Sequence, residues 1–272
     1  MSLGFFSVAS SSSGNSYILL NENVGIILDV GVSGKKIKNA LNEYKIPYEH
    51  IKGILITHEH TDHIKSVGIV AKTFYNSKIY CSKGTEMASS RICALDENRK
   101  QIVSAGDSFY IENILIKVFV LSHDAQEPIG YSFECDNKKI VVVTDTGKVT
   151  EDIQREMIDS DMILLESNHE VAMLEVGSYP YHIKRRILSD LGHLSNETAA
   201  NALCEVIKKR KKGKPLEVLL GHISSENNDY YNAKIVMTNI LEENDIIIGK
   251  DVIIDIAGKD NISKLYRLSD EY

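Results

Sequence analysis

Three imidazoles and a carboxylate fall within six residues at His58-Glu59-His60-Thr61-Asp62-His63, just after the apolar run 53–56. Alternate residues of an extended segment point the same way, so His58 and His60 can share one metal ion. Asp62 and His63 fall on the next turn, where they can face a second ion. Imidazole with carboxylate suits zinc, and also manganese or iron. Two divalent cations about 3.5–4 Å apart repel each other, and a shared carboxylate offsets that repulsion. Asp62 has two candidate jobs, as a ligand and as the acceptor that orients an attacking water.

The elements that must position this cluster read as short apolar runs bounded by Ser, Gly and Asn. Strands are expected at 5–9, 17–20, 25–30, 53–56, 78–81, 108–111, 114–121, 129–134, 139–144, 162–166 and 217–220. Two closing strands are expected at 252–257 and 263–268. Helical spacing marks 35–44, 64–74, 84–95, 151–158, 196–210 and 230–243. Residues 10–15, between the first two strands, read as a turn. No linker rich in proline or glycine divides the chain, and no internal repeat occurs. The expectation is a mixed α/β sandwich, one domain over residues 1–272.

The totals narrow the class. Hydrophobic residues at 43% and charged residues at 25% are ordinary for a globular protein. Cys81, Cys93, Cys135 and Cys204 are scattered, with no C-x-x-C pair, which suits a reducing compartment. Residues 1–13 show no basic stretch followed by a long apolar run, and no apolar stretch of about 18 residues occurs. The expected location is the cytoplasm, with no membrane partner. A net charge of −7 argues against indiscriminate binding of nucleic acid, though not against a local patch. Lys208–Lys212 with Lys214 is one such run, readable as a substrate contact or as a solvated helix C-terminus.

The hexapeptide resembles the metal-binding signature of the metallo-β-lactamase superfamily. That resemblance implies a four-layer αβ/βα sandwich and two divalent metal ions, and it covers residues 3–243. It also implies further ligands in order, each at the end of an apolar run. Leu121-Ser-His123 looks like the third ligand of the first metal, Thr144-Asp145-Thr the bridging aspartate, and Gly221-His222 the last histidine on the second. An aspartate bridge is typical of the phosphodiesterase-like and thioester-hydrolysing branches. Glu166 at a strand end and His193 near a helix start resemble ribonuclease-type members, where a glutamate holds a histidine that serves the leaving group.

Within the superfamily, five segments are similar to the YycJ/WalJ-like group. These are Ser12-Ser-Gly-Asn15, Glu166-Ser-Asn-His169, Tyr179–Arg186, Gly192-His-Leu-Ser-Asn196 and Gly221-His-Ile-Ser-Ser-Glu-Asn-Asn228. The resemblance implies an exonuclease with a DNA substrate, and a contact between Asn15 and that substrate. Lys184, Arg185 and Arg186 could hold its phosphates, or form a solvated helix face. Two other functions stay open on the sequence. The same metals could hydrolyse a small ester, thioester or cyclic phosphodiester, or the fold could serve a non-catalytic regulatory protein.

Overall fold

A computed structural model gives the structure of residues 3–268, so the first two and last four positions of the expected domain lie outside the described residues. The chain divides into two compact units. The first takes residues 3–119, 125–138 and 258–268, and the second takes 120–124 and 139–257.

In the first unit, β1 (Leu3–Ala9), β2 (Ser16–Asn21) and β3 (Val24–Leu28) form an antiparallel meander. Helix α1 (Gly34–Glu43) starts at Ser33, whose side chain accepts from the Lys36 amide, and it buries Ile37, Ala40 and Leu41 at the expected spacing. β4 (Ile51–Leu55) then joins β3 in parallel. Short helices α2 (Thr61–Ile64) and α3 (Val67–Thr73) lead to β5 (Lys78–Cys81), parallel to β4. After α4 (Lys83–Ala88) and α5 (Ser90–Cys93), β6 (Lys100–Ile102) adds a further parallel edge. β7 (Ser108–Ile111) and β8 (Ile114–Val120) make a hairpin, and β9 (Ile129–Cys135) follows. Phe6, Ile18, Ile27, Ile54, Ile37 and Leu41 pack into one apolar core.

In the second unit, β10 (Lys138–Val143), α6 (Glu151–Met157) and β11 (Met162–Glu166) begin a run of parallel strands. Helices α7 (Val171–Val176), α8 (Tyr181–Ile187) and α9 (Asn196–Lys209) precede β12 (Leu216–Gly221). Helix α10 (Tyr230–Glu243) packs on α9, and β13 (Val252–Ile256) pairs in parallel with β12. The chain returns to the first unit for β14 (Tyr266–Leu268), antiparallel to β1. The strands make two mixed sheets flanked by helices, the α/β sandwich that the resemblance implied. No helix among the described residues is long and apolar enough to cross a membrane.

Where elements differ from expectation, a polar group explains the break. The helix expected over 64–74 splits at Ser66, whose amide bonds to the Val30 carbonyl at 3.0 Å and not to its own helix. The helix expected over 84–95 splits at Ser89, which caps α5 by accepting from the Ile92 amide. β6 is three residues, two of them exposed, too short for an apolar pattern to show. α7 was not expected, and a helix at Lys184–Arg186 was one of two readings of that segment; at six and seven residues both are too short for helical spacing to repeat.

One contact in the first unit fixes where the hexapeptide lies. The Val30 amide donates to the His63 carbonyl at 2.7 Å, and the Asn15 amide to the Asp62 carbonyl at 2.8 Å. A Cβ on Gly31 would sit 1.5 Å from that same Asp62 oxygen. Only glycine allows the approach. Gly31→Ala should therefore lower the urea midpoint by the equivalent of about 1–3 kcal/mol or more, with the denaturant slope retained. An unchanged midpoint would show that the two segments can separate freely.

Candidate metal centre and catalytic pair

In the first unit β3 and β4 run parallel with Leu28 opposite Leu55, so both release their next residues at one edge. Asp29 leaves β3 in the left-handed region, φ 57°. Its Oδ1 accepts from the Thr57 amide at 2.9 Å. Its Oδ2 accepts from the Thr57 hydroxyl at 2.9 Å and from His63 Nδ1 at 2.8 Å. The ring of His63 is thereby fixed, with Nε2 3.4 Å from Asp62 Oδ2. His58 Nδ1 donates to the Thr57 hydroxyl at 3.0 Å. Its ring centroid lies 4.6 Å from that of His60 and 4.1 Å from that of His63. The structure thus brings His58, His60, Asp62 and His63 together.

Asn15, expected to meet substrate, is fully buried. Its Nδ2 reaches Asp62 Oδ2 at 3.2 Å and His63 Nε2 at 3.1 Å, while its Oδ1 accepts from the Ser11 amide at 3.0 Å. This placement makes it an internal brace for the two hexapeptide residues. Asp29 escaped the sequence reading. The available signal was an acid directly after an apolar strand and two residues before a glycine.

In the second unit β10, β11 and β12 run parallel, pairing Val143 with Leu165 and Glu166 with Gly221. Their carboxyl ends therefore deliver Asp145, Glu166 and His222 to one edge, where open parallel sheets usually place ligands. Asp145 and His222 both adopt left-handed backbone, φ 59° and 52°. Donor atoms of Asp145, Glu166, His193 and His222 all lie within 4.8 Å of one another.

Glu166 is fully buried, and its Oε1 accepts from His193 Nδ1 at 2.8 Å and from His222 Nδ1 at 2.7 Å. Its Oε2 accepts from the amides of Thr146 at 3.0 Å and Leu194 at 3.3 Å. Burial alone would raise its pKa, but the two histidines outweigh that and hold it down to about 2. His193 is the more open partner, with 16% of its side chain exposed. His123 Nδ1 donates to the Gly192 carbonyl at 3.1 Å, placing Nε2 3.9 Å from Asp145 Oδ1. Burial lowers the pKa of His123, against a smaller opposing effect of Asp145.

Behind this edge lies a buried amide network that residue types alone did not reveal. Asn228 Nδ2 donates to the carbonyls of Ser167 at 3.0 Å and Asn168 at 3.2 Å, and to Asn196 Oδ1 at 2.8 Å. Asn168 Nδ2 donates to the His222 carbonyl at 2.9 Å, and Ser167 Oγ to Asn196 Oδ1 at 2.7 Å. The network locks the strand-end loop after β11 to the loop after β12.

The expected cations are placed differently from one another. Arg186 pairs with Asp124 through Nε and Nη2, and Lys184 donates to the Glu175 carbonyl at 2.8 Å. Arg185 lies over the Tyr181 ring, 6.0 Å from its centroid. The run at 208–212 is tied into structure. Arg210 donates to the Ser160 carbonyl at 3.1 Å, Lys212 pairs with Asp161 at 2.6 Å, and Lys208 reaches Asn244 at 2.7 Å.

The donor chemistry in each unit fits divalent metal ions. His58, His63, His123 and His222 are each tethered at Nδ1, by Thr57, Asp29, Gly192 and Glu166. Such outer partners fix the tautomer and turn Nε2 toward a metal. Comparison with known proteins agrees. The sequence profile described as "Beta-lactamase superfamily domain" matches residues 28–213. The chain belongs to the metallo-β-lactamase superfamily. Exodeoxyribonuclease WalJ of Streptococcus pneumoniae is 40% identical over 247 residues, covering 90% of each chain. Exodeoxyribonuclease YycJ of Bacillus anthracis is 36% identical over 251 residues, covering 92% of this chain and 93% of its own. This superfamily member therefore sits in the YycJ/WalJ-like group. The metallo-β-lactamase fold protein YhfI of Bacillus subtilis superposes with a TM-score of 0.72 at 11% identity, covering 98% of this chain and 100% of YhfI.

His169, three residues beyond Glu166, is buried, and neither ring nitrogen has a hydrogen-bond partner among the described residues. Burial holds its pKa down to about 4, against a smaller raising effect of Glu166. In the unfolded chain the same ring titrates near 6.5. As pH falls below about 6.5 the unfolded chain takes up a proton that the folded chain resists, so stability is lost progressively toward pH 4 and is fully present above 6.5. His169→Leu should flatten this slope, so its urea midpoint should gain on the wild-type protein between pH 7 and pH 5. A constant gap between the two proteins would mean that His169 titrates normally.

Proposed function

We propose that this hydrolase is an exonuclease that cleaves phosphodiesters in DNA. The observation that carries the reading is the buried Glu166 carboxylate bonded to His193 Nδ1, beside a metal-ligand set. Cleaving a phosphodiester expels an alkoxide, a poor leaving group, and this pair is built to supply its proton. The naming of two relatives as exodeoxyribonucleases, each aligned over most of both chains, supports DNA as the polymer.

On this reading His58, His60 and His123 serve one metal, Asp62, His63 and His222 the other, and Asp145 is shared. Support comes from the order of these residues along the chain and from their strand-end positions. When bound, the ions supply Lewis acidity at the phosphate and lower the pKa of water. Zinc suits the histidine-rich set best, with manganese or iron as the alternatives. Asn15 steadies Asp62 and His63, and Asp62 serves as a ligand or orients the attacking water. Glu166 keeps the proton of His193 on Nδ1 and fixes the ring plane, so that Nε2 delivers a proton to the leaving oxygen. The reading takes residues 1–272 as one domain and places the protein in the cytoplasm, in keeping with its free cysteines.

Linear duplex DNA labelled at one end, incubated with manganese or zinc, should be shortened progressively from an end. Hydrolysis of small esters or small phosphodiesters without loss of DNA would overturn the assignment.

The leaving-group role separates cleanly. His193→Ala should keep its metals and fold yet lose about 10²–10⁴-fold in turnover on DNA. On a phosphodiester with a nitrophenolate leaving group, which needs no proton, the loss should be much smaller. Equal losses on both substrates, or a fall in bound metal, would make His193 a ligand or a structural residue.

A further inference from the structure

The segment 175–191 lies between the strand-end Glu166 and His193, and none of its residues is buried. It is nonetheless rich in apolar side chains. Val176 is 86% exposed and Tyr181 75%, with Leu188 and Leu191 about half exposed. The same segment carries Lys184, Arg185 and Arg186 against two acids, Glu175 and Asp190, in a chain of net charge −7. Of the two acids, Asp190 is already paired, with Lys148 at 2.7 Å, and Lys184 is held by the Glu175 backbone carbonyl at 2.8 Å. Arg186 is occupied by Asp124. Arg185 makes no ion pair among the described residues, and its guanidinium lies by the ring of Tyr181 a turn earlier. An exposed aromatic ring and an unneutralised guanidinium therefore stand side by side on α8.

This helix is also anchored to the leaving-group histidine. The His193 amide donates to the Ile187 carbonyl at 3.0 Å, and the Asp124 amide to the Leu191 carbonyl at 3.1 Å. A Cβ on Gly192 would meet the carbonyl oxygens of Ile187 at 2.1 Å and Arg186 at 2.3 Å, so the loop closes tightly on the end of the helix. Whatever rests on α8 is held in fixed register with His193. At 1.5 Å rise per residue, Tyr181 stands about 9 Å along the helix from Ile187.

We propose that the face of α8 bearing Tyr181 and Arg185 receives the unpaired bases of a single DNA strand as that strand enters the site. This rests on the exonuclease reading and deepens it. A base in a duplex hides its face in the stack, whereas a peeled strand presents that face. An aromatic ring beside a guanidinium accepts any base on stacking and cation–π attraction, with no sequence preference. Such tolerance suits an enzyme that digests a strand one unit after another. The phosphates of the same strand would meet Arg185, the cation of this helix that no carboxylate or carbonyl has claimed.

The chain contains no tryptophan, which makes a direct test available. Tyr181→Trp should show indole fluorescence that is quenched on adding phosphorothioate-linked oligothymidylate, a probe that resists digestion. Tyr181→Ala should weaken that oligonucleotide about 5- to 150-fold by fluorescence anisotropy of a labelled strand, the range expected for one lost stacked base. Tyr181→Phe, which keeps the ring and loses the hydroxyl, should bind within about twofold of wild type. Arg185→Ala should weaken binding and reduce its salt dependence by about one phosphate contact. Wild-type affinity in Tyr181→Ala overturns the proposal while leaving the exonuclease reading intact, provided that the wild-type protein digests DNA. A Phe variant as weak as the Ala variant also overturns it, since the ring would then not be the contact. Sedimentation showing a dimer that Tyr181→Ala dissociates, with unchanged affinity for DNA, would assign the face to a second copy of this chain. If the wild-type protein neither binds nor digests DNA, both readings fall together.

Discussion

A carboxylate with no access to water must be met by donors from the protein, and Glu166 is met by four. They are the rings of His193 and His222 and the backbone amides of Thr146 and Leu194. These donors belong to the exits of β10 and β12 and to the approach to α9, so one buried anion gathers three separate stretches of the second unit. Desolvation works against the charge, and the donors overcome it, which is why the group stays ionised to about pH 2. Without that anion the apolar strand Met162–Glu166 would still pair with its neighbours. The residues at its end would lose their common acceptor, and a buried donor left unmet there costs stability.

The first unit repeats the device at smaller scale. Asp29 gathers the Thr57 amide and hydroxyl together with His63 Nδ1. In both units the acid or histidine stands where a parallel strand ends and the backbone turns left-handed, at Asp29, Asp145 and His222. Side chains tolerate that region poorly, and such residues persist where the surroundings over-determine them. At Asp29 the over-determination is visible as hydrogen bonds to the Thr57 amide and the His63 imidazole, and at His222 as bonds to Glu166 and Asn168. Thiols take no part in this chemistry. Burial pushes the Cys81 thiol up to about 12, which leaves it inert at neutral pH.

The segment from α7 to Gly192 follows another logic. It buries almost nothing, yet its carbonyls hold the backbone of His193, and Arg186 holds Asp124 next to His123. A seven-residue helix shows its apolar spacing, Ile183 and Ile187, only once, which is why the sequence left a helix face there as one of two readings. The basic run near Lys209 shows the converse. It stands out in the sequence, and in the fold Lys212 pairs with Asp161, Arg210 donates to the Ser160 carbonyl and Lys208 to Asn244.

The sequence by itself determined the donor types, the strands that carry them and the class of fold. The reason is that these depend on local patterns, an apolar run of four or five residues ending in His, Asp or Glu. The expected strands 78–81 and 162–166 and the helix 230–243 match β5, β11 and α10 residue for residue. For His63, His123 and His222, tertiary structure alone decided which nitrogen each ring presents. The partner that fixes Nδ1 is 34 residues away for His63, 69 for His123 and 56 for His222. No local pattern encodes a pairing at such separations. The same holds for Asn15, which reads as a loop residue within reach of substrate. It is buried because the backbones of residues 15, 31 and 62 meet over a glycine that leaves room for no side chain.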